Sequence, residues 1–110
     1  MHCAAIVLNI ARDKAEEFER GFREHELPTH IDLKERGLLV MSTLSRMDDI
    51  STQRVQGAVQ YLVIAIFHGY EGHTAHDSDP RFQAWNKIAD AYQIRDPFVF
   101  GGDSILNTGP

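Results

Sequence analysis

The segment Tyr61–Phe67 reads YLVIAIF, an unbroken apolar run rich in β-branched residues. Successive side chains of a strand point to opposite faces, so Leu62, Ile64 and Ile66 share one side and Tyr61, Val63, Ala65 and Phe67 the other. A sheet with one wet face would alternate apolar with polar residues, and this run does not. Both faces therefore require burial. The run is about a third of the length that a membrane-spanning helix needs, so the burial has to come from protein.

The rest of the chain supplies cover for one face. Cys3–Ile10 (CAAIVLNI) reads as strand 1, Leu38–Met47 as strand 2, Val59–His68 as strand 3 and Phe98–Leu106 as strand 4, the last interrupted at Gly101-Gly102. Asp13 and Glu16 have the spacing of a capping box, which places the start of helix 1 there. Its apolar stripe runs Ala11, Ala15, Phe18, Phe22 and His25. Pro28 predicts an end at Leu27, with a short helical restart over Thr29–Asp32 before Gly37. The polar stretch Asp48–Gly57 reads as a loop. Asp79 is a good N-cap directly before Pro80, where helix 2 begins with the stripe Phe82, Trp85, Ala89 and Tyr92.

The order is β-α-β-β-α-β, a ferredoxin-like α+β class with a four-stranded antiparallel sheet. Right-handed crossovers put both helices on the same face. The opposite face would then expose more than the roughly few hundred Å² of contiguous apolar surface that soluble monomers tolerate. A second copy of the chain is the simplest cover, so a homodimer is expected.

Composition narrows the remaining classes. A chain of 110 residues is one domain, spanning 1–110. Sixteen Asp plus Glu against eleven Lys plus Arg give a net charge of −5, which repels a phosphate backbone and argues against nucleic acid. Cys3 is the lone cysteine, so neither an intrachain disulfide nor a cysteine zinc site can form. With no charged-then-apolar N-terminal segment, a cytoplasmic protein with no membrane partner is expected.

Six histidines fall mainly into two groups, His25/His30 and His68/His73/His76. Imidazole exchanges protons near neutral pH, so each is a candidate acid or base as well as a candidate cap or surface group. The spacing His68-x4-His73-x2-His76 matches no strong metal signature, and no glycine-rich nucleotide motif is present. No metal or organic cofactor is expected. Asn9 lies at the end of strand 1 on the face of Cys3, Ala5 and Val7, where it could hold an anionic oxygen or simply end the strand. Phe82 and Trp85, with Tyr61, Phe67 and Phe98, either pack the core or line a pocket for a planar organic molecule. Arg46 is placed to bind a substrate anion or to pair with a surface carboxylate.

The segment His73–Trp85 (HTAHDSDPRFQAW) has a histidine, a short connection and a helix opening at Pro-x-Phe. In this it resembles the antibiotic biosynthesis monooxygenase family of the dimeric α+β barrel superfamily, over nearly the whole chain. The resemblance implies two chains pairing as a barrel, and cofactor-free oxygenation of quinols, phenols or polyketide-like aromatics. It supports His76 as the base; His25, which ends the apolar stripe of helix 1, is the reserve base, and Asn9 is the candidate for holding an anionic oxygen. Haem-opening relatives carry an asparagine on strand 1, a tryptophan before helix 2 and a histidine within it. The matching positions here are Asn9, His76 and Asn86, so haem degradation is not expected. His25-Glu26-Leu27-Pro28 with Lys34-Glu35-Arg36 is also similar to polyketide cyclases of the superfamily. Cyclase, isomerase and non-catalytic binding or stress-related roles on the same fold stay open.

Overall fold

The computed structural model describes residues 1–109. Strand β1 (His2–Ala11) leads through a 3₁₀ turn at Arg12–Lys14 into helix α1 (Ala15–Gly21), a π-helical stretch (Phe22–Glu26) and helix α2 (Leu27–Glu35). Strands β2 (Leu39–Arg46) and β3 (Ala58–Phe67) follow, then helices α3 (Tyr70–Ser78) and α4 (Pro80–Asp90), then strand β4 (Gln93–Asp103). The four strands form one antiparallel sheet in the order β2-β3-β1-β4. This is the expected ferredoxin-like α+β fold. No helix among the described residues is long and apolar enough to cross a membrane.

The helices cover the face that carries Ala4, Ile6 and Leu8 from β1 and Val63, Ala65 and Phe67 from β3. Phe18, Phe22, Trp85 and Ala89 close the core against Ile10, Tyr61 and Val63. Burying side chains of this size contributes about 1.5–3 kcal/mol each. The other face carries Leu62, Ile64 and Ile66 beside Cys3 and Ala5, with Met41 and Phe100 exposed near or at its edges.

Four local expectations are corrected. No side chain caps the first helical turns, so the Asp13/Glu16 box does not form. Pro28 does not end the helix. The preceding turn widens to π geometry, with the Leu27 N–H bonded to the Phe22 carbonyl, and the missing proline N–H is absorbed at the start of α2. The segment before Pro80 is helical rather than a loop. Gly72 lets α3 sit close to the chain before β2, because a Cβ there would lie 2.6 Å from the Leu38 carbonyl oxygen. Finally, β4 begins at Gln93 and ends at Asp103, and Pro97 is tolerated within it because β4 is an edge strand. The Asp79 cap forms as expected, its carboxylate accepting from the Arg81 N–H at 2.8 Å.

Candidate active site

The π-helical turn decides which side chains of the long helix reach inward. Phe18, Phe22, Glu26 and His30 follow one another at spacings of four, and all four are buried. Helix α3 brings His76 to the same place. Between these helices and the sheet lies a cavity of about 280 Å³, close to the size at which small-molecule sites begin. Its walls are chiefly apolar, including Ile6, Val63, Phe67, Phe82 and Trp85, and its polar end holds Glu26, His30 and His76.

Glu26 is the hub of that end. Its Oε1 accepts from His30 Nε2 and from His76 Nε2, each at 2.7 Å. The far nitrogens are also held: His30 Nδ1 meets Ser42 Oγ at 2.8 Å and His76 Nδ1 meets Asp77 Oδ1 at 2.9 Å. Glu26 Oε2 is buried without a hydrogen-bond partner. The Phe82 ring centroid lies 4.1 Å from that of His76.

The electrostatics follow from this geometry. Burial works against the Glu26 charge, yet hydrogen bonds from His30 and His76 outweigh it and hold the carboxyl below its ordinary range. Burial also works against the His76 imidazolium, and here Glu26 and then Asp77 prevail, raising its proton affinity. Each Nε2 facing a carboxylate oxygen carries the proton. His30 can then accept from the Ser42 hydroxyl, whereas His76 between two carboxylates favours the doubly protonated ring.

The structure brings together only part of what the sequence suggested. Phe67, Phe82, Trp85 and His76 line the cavity. His25 is exposed and stacks on Trp85 at 5.5 Å, outside the lining. Tyr61 is in the core and donates to Glu19; burial first, then that bond, pushes its pKa up to about 12. Arg46 pairs with the same Glu19, the surface-carboxylate alternative. Phe98 and Asn9 lie on the helix-free side of the sheet. There Asn9 binds the Asp96 carbonyl at 3.0 Å and the Gln60 amide at 2.9 Å, bracing the irregular β1–β4 pairing. Of the histidine cluster, His68 is exposed and His73 turns to His2 and Asp77.

Glu26 and His30 are the residues the sequence reading passed over as a pair. Their signal is the four-residue spacing, which puts two side chains on one helical face only if the helix runs through Pro28. Among the described residues, Glu26, His30 and His76 are also the set whose donor atoms, all within 4.8 Å of one another, could hold a metal ion. Chemically, the arrangement can exchange a proton with a molecule in the cavity or bind a cation.

No family model matches the sequence, and no curated protein matches it. Solved structures do. A Nitrosomonas europaea protein named for antibiotic biosynthesis monooxygenase superposes with a TM-score of 0.76 at 11% identity, covering 96% of this chain and all (100%) of that one. SnoaB, a cofactor-independent oxygenase from Streptomyces nogalater, gives 0.70 at 16% identity over 96% and 94% of the two chains. A dimeric ferredoxin-like protein of unknown function from Jannaschia sp. CCS1 gives 0.72 at 12% identity over 94% and 100%. The resemblance read from His73–Trp85 is thus matched in three dimensions: the chain has the ferredoxin-like α+β fold of antibiotic biosynthesis monooxygenase-like structures.

Proposed function

We propose that the chain is a small-molecule enzyme, working as a homodimer, that takes a proton from an acidic phenol, quinol or 1,3-dicarbonyl held in the cavity. One observation carries this reading: His76 borders an apolar cavity with its Nε2 fixed by buried Glu26, while its Nδ1 is held only by the exposed Asp77 side chain. A substrate hydroxyl or acidic C–H that displaces Asp77 meets Nδ1. In the His76 form protonated on Nε2 alone, Nδ1 accepts the substrate proton and Glu26 stabilises the imidazolium that results.

The substrate anion left in a dry cavity reacts with O2. One oxygen atom stays in the product and the other leaves as water, with the substrate supplying the electrons. Phe67, Phe82 and Trp85 hold the ring system, so the protein contributes orientation and desolvation. This accords with the cofactor-independent oxygenase SnoaB among the fold neighbours. Dimerisation is supported by the apolar helix-free sheet face and by the dimeric neighbour from Jannaschia.

The test is product analysis with hydroquinones and anthrone-like tricyclic phenols under O2 and under nitrogen. Product that forms only under O2 is expected. The same product under nitrogen would replace the oxygenase with a cyclase or isomerase, and saturable binding without turnover would make the chain a binding module.

A further inference from the structure

Three features of the Glu26 hub go beyond what proton transfer needs. The donors are two imidazole nitrogens and a carboxylate, from two separate segments, all buried. Both histidines turn Nε2 to Glu26, and both have Nδ1 held by a further side chain, Ser42 and Asp77. That outer layer is what fixes ring orientation in metal-binding histidines. Glu26 Oε2 is left without a partner on a residue that is 4% exposed. A buried carboxylate oxygen with no donor is costly, and a cation satisfies it directly.

We infer that Glu26, His30 and His76 form a binding site for one divalent transition-metal ion of the zinc or cobalt kind. Two nitrogens and a carboxylate suit such ions over Mg²⁺ or Ca²⁺, which prefer all-oxygen shells. Three protein ligands leave a coordination position open toward the cavity, the pattern of reactive rather than purely structural sites. Binding exchanges protons for the ion. His76 Nε2 gives its proton to solvent and keeps Nδ1–H on Asp77. His30 loses the Nε2 proton and regains one on Nδ1, which then donates to Ser42.

This site is independent of the proton-transfer reading and competes with it, because His76 holding an ion on Nε2 has its Nδ1 already protonated. Zn²⁺ therefore inhibits turnover wherever His76 is the base.

The experiment is titration of chelator-treated, dialysed protein with Co²⁺, read by visible d–d absorption and by calorimetry. One ion per chain is expected, bound in the micromolar range or tighter, with the intense bands of a low-coordinate cobalt. Glu26→Gln, His30→Gln and His76→Gln should each weaken binding at least tenfold. Should any of these fail to fold by circular dichroism, Ser42→Ala decides: it removes only the outer partner of His30 and should weaken binding several-fold. Absence of saturable binding at about 100 µM Co²⁺, or binding unchanged in the folded variants, overturns the site. The two readings fail separately: binding that restores rather than blocks turnover leaves the site standing and removes His76 as a free base.

Discussion

Glu26 and His76 lie 50 residues apart in sequence and meet at 2.7 Å, so one hydrogen bond ties the long N-terminal helix to the helix that follows β3. The contact is structural and chemical at once. It fixes Nε2 of the imidazole, while Nδ1 is held by the exposed Asp77 carboxylate.

Replacing Glu26 by Leu should lower stability by about 1–3 kcal/mol, because it strands two buried imidazole N–H groups without an acceptor. Chemical denaturation measures it. A variant as stable as the parent would mean that the two histidines find other partners and that Glu26 does not hold the helices together.

Gly21→Ala should destabilise the fold by about 1–3 kcal/mol through overpacking. A Cβ at this position would lie 2.4 Å from the Trp85 ring, which forms one wall of the cavity. The single tryptophan of the chain reports the displacement as a change in emission. Unchanged emission together with unchanged stability would contradict the packing of α1 on α4.

Stability should fall in acid through Asp79. Its carboxyl is pulled down from 3.8 to about 2, chiefly by the Arg81 guanidinium. A lowered folded pKa stabilises the protein above the unfolded value, and that contribution is lost as pH drops from about 4 toward 2. Asp79→Ala should cost about 1 kcal/mol at pH 7, the usual worth of an N-cap, and should remove this part of the acid dependence. Thermal unfolding at pH 7 and pH 3 gives both numbers, and equal pH sensitivity in parent and variant would refute the assignment.

Adjacent residues of β3 should behave oppositely. Val63 faces the helices and sits in the core cluster, so Val63→Asp should unfold the chain or cost several kcal/mol. Ile64 faces the helix-free side, so Ile64→Asp should leave a folded monomer where the parent sediments as a dimer. A parent that sediments as a 12.5 kDa monomer would exclude the homodimer.

The fold was legible because its decisive signal is local. The two-faced run at Tyr61–Phe67, the Asp79-Pro80 cap and the Phe82/Trp85/Ala89 stripe each specify an element by composition and period. The site was only half legible. His76 carried a recognisable pattern, but its neighbours depend on the π-helical turn. A strict helical period continues the stripe from Phe22 to His25, whereas the widened turn continues it to Glu26 and then His30. Proline at 28 reads as a stop in any local account, and only packing against β2 and α3 shows that the helix continues. Alternation also gave the face of Asn9, with Cys3, Ala5 and Val7, but which face the helices cover is a property of the whole sheet.

His76→Gln, assayed with a substrate that the parent turns over in air, tests directly whether His76 is the base. A fall in kcat of about a hundredfold or more is expected, the usual contribution of a general base, in a protein that keeps its fold and its affinity for the ring system. Full turnover in a folded His76→Gln protein would contradict that role.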